Sequence, residues 1–227
     1  MCISATVSFG AAAVLIPLGG LALRHACTTD RRYLVLASFP VMFGVQQISE
    51  GLVWLSLDDP DGHFSLGAAM VFLFFAYVVW LVLAPLAVIP LEHRKDLRRA
   101  FLGILLFGAV FGLSLFLPLL ASPDRLGVDV VHGSLLYETR LIYGSLVPSA
   151  VLIAIYACVV CLPLLTSSAP GVRPFGILVA ASMLLTMLFA GYAFKSVWCY
   201  LAAISSAYLA LMMWRLPKLA QRRVFEA

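Results

Sequence analysis

Charge is what this 227-residue sequence has least of: charged residues make up 11% of it, against 63% hydrophobic residues. No water-soluble domain of this length hides so much apolar surface in one core. No Lys or Arg precedes the first apolar run and no short apolar core with a small-residue cleavage site follows, so no secretory signal is expected and Cys2 is expected to stay in the chain. The four histidines all fall outside the apolar runs. That excludes an intramembrane histidine pair for haem, and a lipid-hydrolase metal site built from several histidines and an aspartate. A glycine-rich phosphate loop, a nucleophile elbow and paired histidines on one helix are missing too. There is no internal duplication of the kind that marks transporters.

What is present is a series of long apolar runs without the alternation of barrel strands, and lipid leaves helices as the remaining spanning structure. The chain is therefore expected to be an all-α integral membrane protein. At about 20 residues per span, the runs predict a seven-helix transmembrane bundle at 4–23, 33–56, 64–90, 99–121, 141–165, 174–194 and 196–214. One membrane domain then takes up 1–227, with 122–140 as an outer loop or hairpin lid and 215–227 as a short basic tail.

The net charge of +4 follows the membrane and is no nucleic-acid footprint. Twelve of the fifteen Lys and Arg residues sit in alternate connections and the tail: Arg24, Arg31 and Arg32; Arg94, Lys95, Arg98 and Arg99; Arg173; Arg215, Lys218, Arg222 and Arg223. With positive charge inside, the N-terminus is expected outside and the C-terminus in the cytoplasm. Few Lys among many Arg, Gly, Ala and Leu suit a bacterial inner (plasma) membrane.

In this topology the run SFPVMFGVQQISEGLVW carries Gln46, Gln47 and Glu50 in the outer half of the second helix. Residues 46, 50 and 54 share one face, with 47 on the adjoining row. Glu50 is the acidic residue placed inside the hydrocarbon, where an ionisable group is costly and needs a partner. The stretch GYAFKSVWCY brings Lys195, Ser196, Trp198 and Cys199 to the same level, and a ring of helices makes the first and last neighbours. The connection SPDRLGVDVVHGSLLYETR has two short alternating runs around His132, Gly133 and Ser134, the pattern of a hairpin. Cys2, Glu50, His132 and Cys199, with Tyr137 and Glu138, are thus expected to converge.

Two thiols, an imidazole and a carboxylate are the inventory of a site for zinc or another transition metal. Alternatively, Cys2 and Cys199 form a disulfide in an oxidising compartment, or each packs as a small apolar residue at a helix end. Glu50 has its own alternative as a carboxyl held by Gln46 or Gln47. CVVC at Cys158 and Cys161 lacks a β-α context and is expected to pack. Glu92 and His93 are expected at a solvated helix end, and His63, after three aspartates, in a polar turn. Lys195 lies at a helix end rather than mid-span, which speaks against a retinal protein.

The residues MCISATVSFGAAAVLIPLG, FGVQQISEGLVW and KSVWCYLAA resemble an uncharacterised family of bacterial seven-span proteins beginning Met-Cys-Phe-Ser-Ala, with Ile3 here in place of Phe. The resemblance runs through the whole chain and implies the helical fold. It draws attention to Cys2, Glu50, Trp198 and Cys199, and brings no activity with it.

The residues alone suggest a membrane-embedded, metal-dependent hydrolase or hydratase. Cys2, His132, Cys199 and Glu50 would bind one zinc or other transition-metal ion, with Glu50 the alternative general base and Gln46, Gln47, Tyr137, Lys195 and Trp198 supporting a small or lipid-derived substrate. The competing readings are a non-enzymatic protein that binds or moves a small solute or metal ion, and a sensor acting through a partner. No nucleic acid is expected as partner.

Overall fold

The computed structural model describes residues 4–57, 65–144 and 146–225, with side chains described as far as Arg215. Cys2, and Asp58, Asp59, Asp61 and His63 of the expected polar turn, lie outside these residues. The first helix, Ala5–Thr29, starts at Ser4, whose hydroxyl accepts from the Val7 amide at 3.4 Å. It ends at Asp30, whose carboxylate caps Arg32 and pairs with its guanidinium at 2.8 Å. The glutamine helix, Phe39–Leu57, lies against the first helix at glycine contacts. A Cβ on Gly44 would lie 2.5 Å from Ile16, and one on Gly51 would lie 2.8 Å from Phe9. Small residues let two helices approach where lipid offers no hydrophobic drive between them.

The bulged helix, Leu66–Leu91, contains a π-helical turn at Phe75–Val79. Two outside contacts meet that turn: the Tyr156 hydroxyl donates to the Ala76 carbonyl, and Gly112 of the glycine helix, Lys95–Ala121, sits against the Tyr77 carbonyl. A hairpin follows, with Leu126–Val131 pairing antiparallel to Ser134–Thr139 so that Val131 faces Ser134. His132 at φ 48° and Gly133 at φ 70° form its two-residue turn, the left-handed pair that such a tight turn requires. Leu135 and Tyr137 are buried on its inner face; Tyr137 stacks on Phe72 at 4.7 Å, and Thr139 bonds the Tyr77 hydroxyl at 2.9 Å.

The tyrosine helix, Ser149–Thr166, begins after Pro148 and not at the expected position 141. Residues 141–144 form a turn in which the Tyr143 hydroxyl donates to Ser114 at 2.9 Å. Leu141, Ile142 and Tyr143 look like span residues by hydropathy, but the residue before a proline is biased away from helix, so the helix starts beyond it. The closing pair is Val172–Ala190 and Phe194–Phe225, joined by the turn Gly191–Ala193. The two run back along each other: Tyr208 donates to the Gly171 carbonyl at one end, and Trp198 to the Val179 carbonyl further along.

Among the described residues five helical stretches are long and apolar enough to cross a membrane, not the seven expected. The glutamine helix falls short of that apolarity, and Gln46, Gln47, Ser49 and Glu50 explain why. The closing pair counts as one stretch, Val172–Arg215, of 44 residues.

At one end of the bundle three connections are tied together. Tyr33 donates to the Pro170 carbonyl at 3.4 Å, and Ser168 donates to both oxygens of Glu92, at 2.7 and 3.0 Å. Glu92 was expected at a solvated helix end but is 5% exposed. Burial raises its carboxyl, yet the amide hydrogen bonds of Ser168 and Arg94 and the Ser168 hydroxyl outweigh burial and hold it below its ordinary value. These three connections, 30–33, 92–94 and 167–171, carry or adjoin most of the cations in the alternate loops.

Candidate functional site

At the opposite end, under the hairpin, the glutamine helix and the last helix build a buried polar cluster. Glu50 is completely buried; one of its oxygens accepts from the Ser196 hydroxyl and the other from Gln47 Nε2 at 3.1 Å. The i, i+3 spacing of Gln47 and Glu50 puts them on neighbouring rows of one helix, while Ser196 arrives from the far end of the chain. Gln46 accepts from Trp80 Nε1 at 2.8 Å, and Trp80 is stacked on Phe43 at 3.7 Å. Gln46 also lies beside the Cys199 thiol, and Glu50 and Cys199 are both near enough to act electrostatically on Tyr137.

Beside this cluster lies a cavity of about 260 Å³. Its polar wall is made by Tyr77, Tyr137, Tyr156, Tyr192, Lys195 and Cys199, and Trp198 adds an indole. Ser149, Gly191 and Tyr192 are the exposed members of the lining and mark its mouth. Lys195 Nζ donates to the Tyr137 carbonyl at 2.7 Å. The Tyr137 hydroxyl, on a residue 2% exposed, has no hydrogen-bond partner, and neither does Gln47 Oε1. Burial first, then Glu50 and Cys199, push the Tyr137 phenol well above its ordinary value, so it stays a hydroxyl.

The structure brings Glu50, Gln46, Gln47, Tyr137 and Cys199 together, and puts Tyr137, Lys195, Trp198 and Cys199 on one cavity. It does not bring His132 into the buried cluster: that ring sits at the hairpin turn, edge-on to Tyr192 at 5.3 Å. Among the described residues no group of three His, Cys, Asp or Glu side chains is placed to hold a metal ion, so Glu50, His132 and Cys199 do not form such a group, and Cys2, the fourth expected ligand, lies outside those residues. The physical reason is the hairpin's tightness. Its two-residue turn holds His132 at the tip, while Tyr137, on the buried strand face, occupies the space beside Glu50 and Cys199. Cys158 and Cys161 are free thiols; Cys161 is buried, whereas Cys158, also expected to pack, is exposed.

Sequence reasoning missed Ser196 as the partner of Glu50, and Tyr77 and Tyr156 as cavity residues. A serine three residues before Cys199 carries no distinguishing signal. Tyr156 and Tyr77 stand out only as phenols inside apolar runs, where a hydroxyl demands an acceptor.

Long apolar helices, a buried carboxyl and a lined cavity define a polytopic helical membrane protein in contact with the bilayer. The chain belongs to a family of unknown function, DUF6629, which it matches over residues 1–224. No curated protein and no solved structure matches it.

Proposed function

We propose that this chain crosses the membrane seven times, with its N-terminus outside and its C-terminus in the cytoplasm, and binds a small amphipathic molecule in the cavity under the hairpin. Two features support the crossings. A 44-residue stretch is about 66 Å of helix, twice the hydrocarbon thickness, and its two halves fold back on each other at Gly191–Ala193. The glutamine helix, 19 residues long, lies alongside the first helix and buries its polar side chains in the bundle, where intramembrane polar groups belong. The inside assignment is supported by the three tied connections, which carry or adjoin clustered cations.

The binding reading rests on one observation, the cavity under the hairpin: about 260 Å³, open at Ser149, Gly191 and Tyr192, with Lys195 in a wall that is otherwise largely apolar, as small-molecule sites are. Catalysis by Glu50 is less well supported: both of its oxygens are engaged and it is not in the cavity lining. Metal-assisted hydrolysis has no complete ligand set among the described residues.

The test is equilibrium dialysis of 4-phenylbutanol against the protein in zwitterionic nanodiscs, with empty discs subtracted. Saturable binding is expected. Ser149→Trp, at the mouth, should abolish it. Binding that is non-saturable, or unchanged in Ser149→Trp, overturns the reading.

A further inference from the structure

We infer that the molecule bound in this cavity is a monocarboxylate with an apolar body, its carboxylate held by Lys195. The inference rests on the cavity-binding reading and adds the charge and class of the ligand. An ammonium group has three N–H donors, and the structure accounts for one of them, in the bond to the Tyr137 carbonyl. Lys195 is half-buried, and among the described residues the one ion pair is Arg32 with Asp30, so no carboxylate lies at ion-pairing distance from it. The acidic groups nearby do not fill that place. Glu138 acts on Lys195 from a distance and is exposed, its side chain being next along the strand from Tyr137. Glu50 is taken up by Ser196 and Gln47. A half-buried cation without a close counter-ion is costly, and an anion entering the same cavity offsets that cost.

Lys195 brings one positive charge and N–H donors to this wall, and the buried Tyr137 phenol does not ionise to oppose an anion. A carboxylate has two oxygens and one charge, which match one ammonium. A phosphate monoester brings up to two charges and three free oxygens, and no arginine lines the cavity to meet them. The apolar body is set by Leu115, Leu141, Leu152, Ile153, Phe194 and Trp198, which complete the wall. The volume of about 260 Å³ limits the body to a short acyl or aryl group.

The deciding comparison uses 4-phenylbutyrate, its methyl ester and 4-phenylbutanol on the wild-type protein in zwitterionic nanodiscs. The acid is expected to bind about tenfold or more tighter than the ester, which keeps the shape and loses the charge. Lys195→Met should remove that preference. Equal saturable binding of acid and ester, or an acid preference that survives Lys195→Met, overturns the carboxylate inference and leaves the cavity reading standing. Absence of saturable binding by all three overturns both. If Lys195→Met does not fold, the acid and ester comparison on the wild type decides the matter alone.

Discussion

Glu50 accepts a hydrogen bond from Ser196, a residue 146 positions further along the chain, and that bond joins the glutamine helix to the last helix in the middle of a buried polar cluster. Replacing Glu50 by Gln keeps the shape and an acceptor oxygen for the serine. Glu50→Gln is therefore expected to change stability by less than about 1 kcal/mol, whereas Glu50→Leu strands both Ser196 and Gln47 and should cost about 2–5 kcal/mol. Thermal unfolding in detergent separates them. Equal loss in both variants would show that the cluster depends on the carboxylate charge.

Two glycines of one helix should respond in opposite ways to the same added methyl. At Gly112 a Cβ runs into the Tyr77 carbonyl of the π-helical turn, while at Gly103 nothing lies within 4 Å. Gly112→Ala should cost about 1–3 kcal/mol, and Gly103→Ala should leave stability unchanged or raise it by up to about 1 kcal/mol. Similar melting temperatures for the two variants would contradict the close approach.

Acid should weaken the end of the bundle that holds Glu92. Its folded value lies below the unfolded one, so its contribution is fully present above the unfolded carboxylate value of about 4.3 and is lost as pH falls through the lower, folded value. Unfolding midpoints measured from pH 6 downward should fall more steeply for the wild type than for Glu92→Gln, and Ser168→Ala should lie between them. Parallel curves would show that the Glu92 and Ser168 contact carries no linked proton.

Sidedness can be read from two single cysteines in a chain whose other cysteines are Ser. Cys27 is exposed at the end of the first helix and Asp129 is exposed on the hairpin. An impermeant maleimide added to intact cells should label Asp129→Cys and spare Cys27, and inverted vesicles should give the reverse. Labelling of both from one side would remove the proposed seven crossings.

How far the sequence discloses this molecule differs from place to place. Helix content is legible because lipid permits few alternatives, and the inward rows of Gln46, Gln47 and Glu50 follow from their spacing alone. The hairpin shows as alternation on either side of His132 and Gly133. The number of crossings is less legible, because the polar side chains that make the glutamine helix interesting also lower its hydropathy. Glu92 misleads for a related reason: a carboxylate in a charged connection looks solvated until Ser168, 76 residues away, supplies a hydroxyl and an amide. The π-helical turn at Phe75–Val79 leaves no mark in composition, since it depends on Tyr156 and Gly112 arriving from two other helices.

Tyr156, Trp198 and Cys199 line the cavity under the hairpin and also a deeper apolar void of about 30 Å³ beneath Phe43 and Trp80. The two aromatic members are fastened to backbone carbonyls, Tyr156 to Ala76 and Trp198 to Val179, so neither ring swings freely. Cys199, the smallest of the three shared residues, is the one a substitution can trim or enlarge without breaking such a bond. Cys199→Ala should admit longer ligands and Cys199→Leu shorter ones, making position 199 the gauge of how deep a guest can sit.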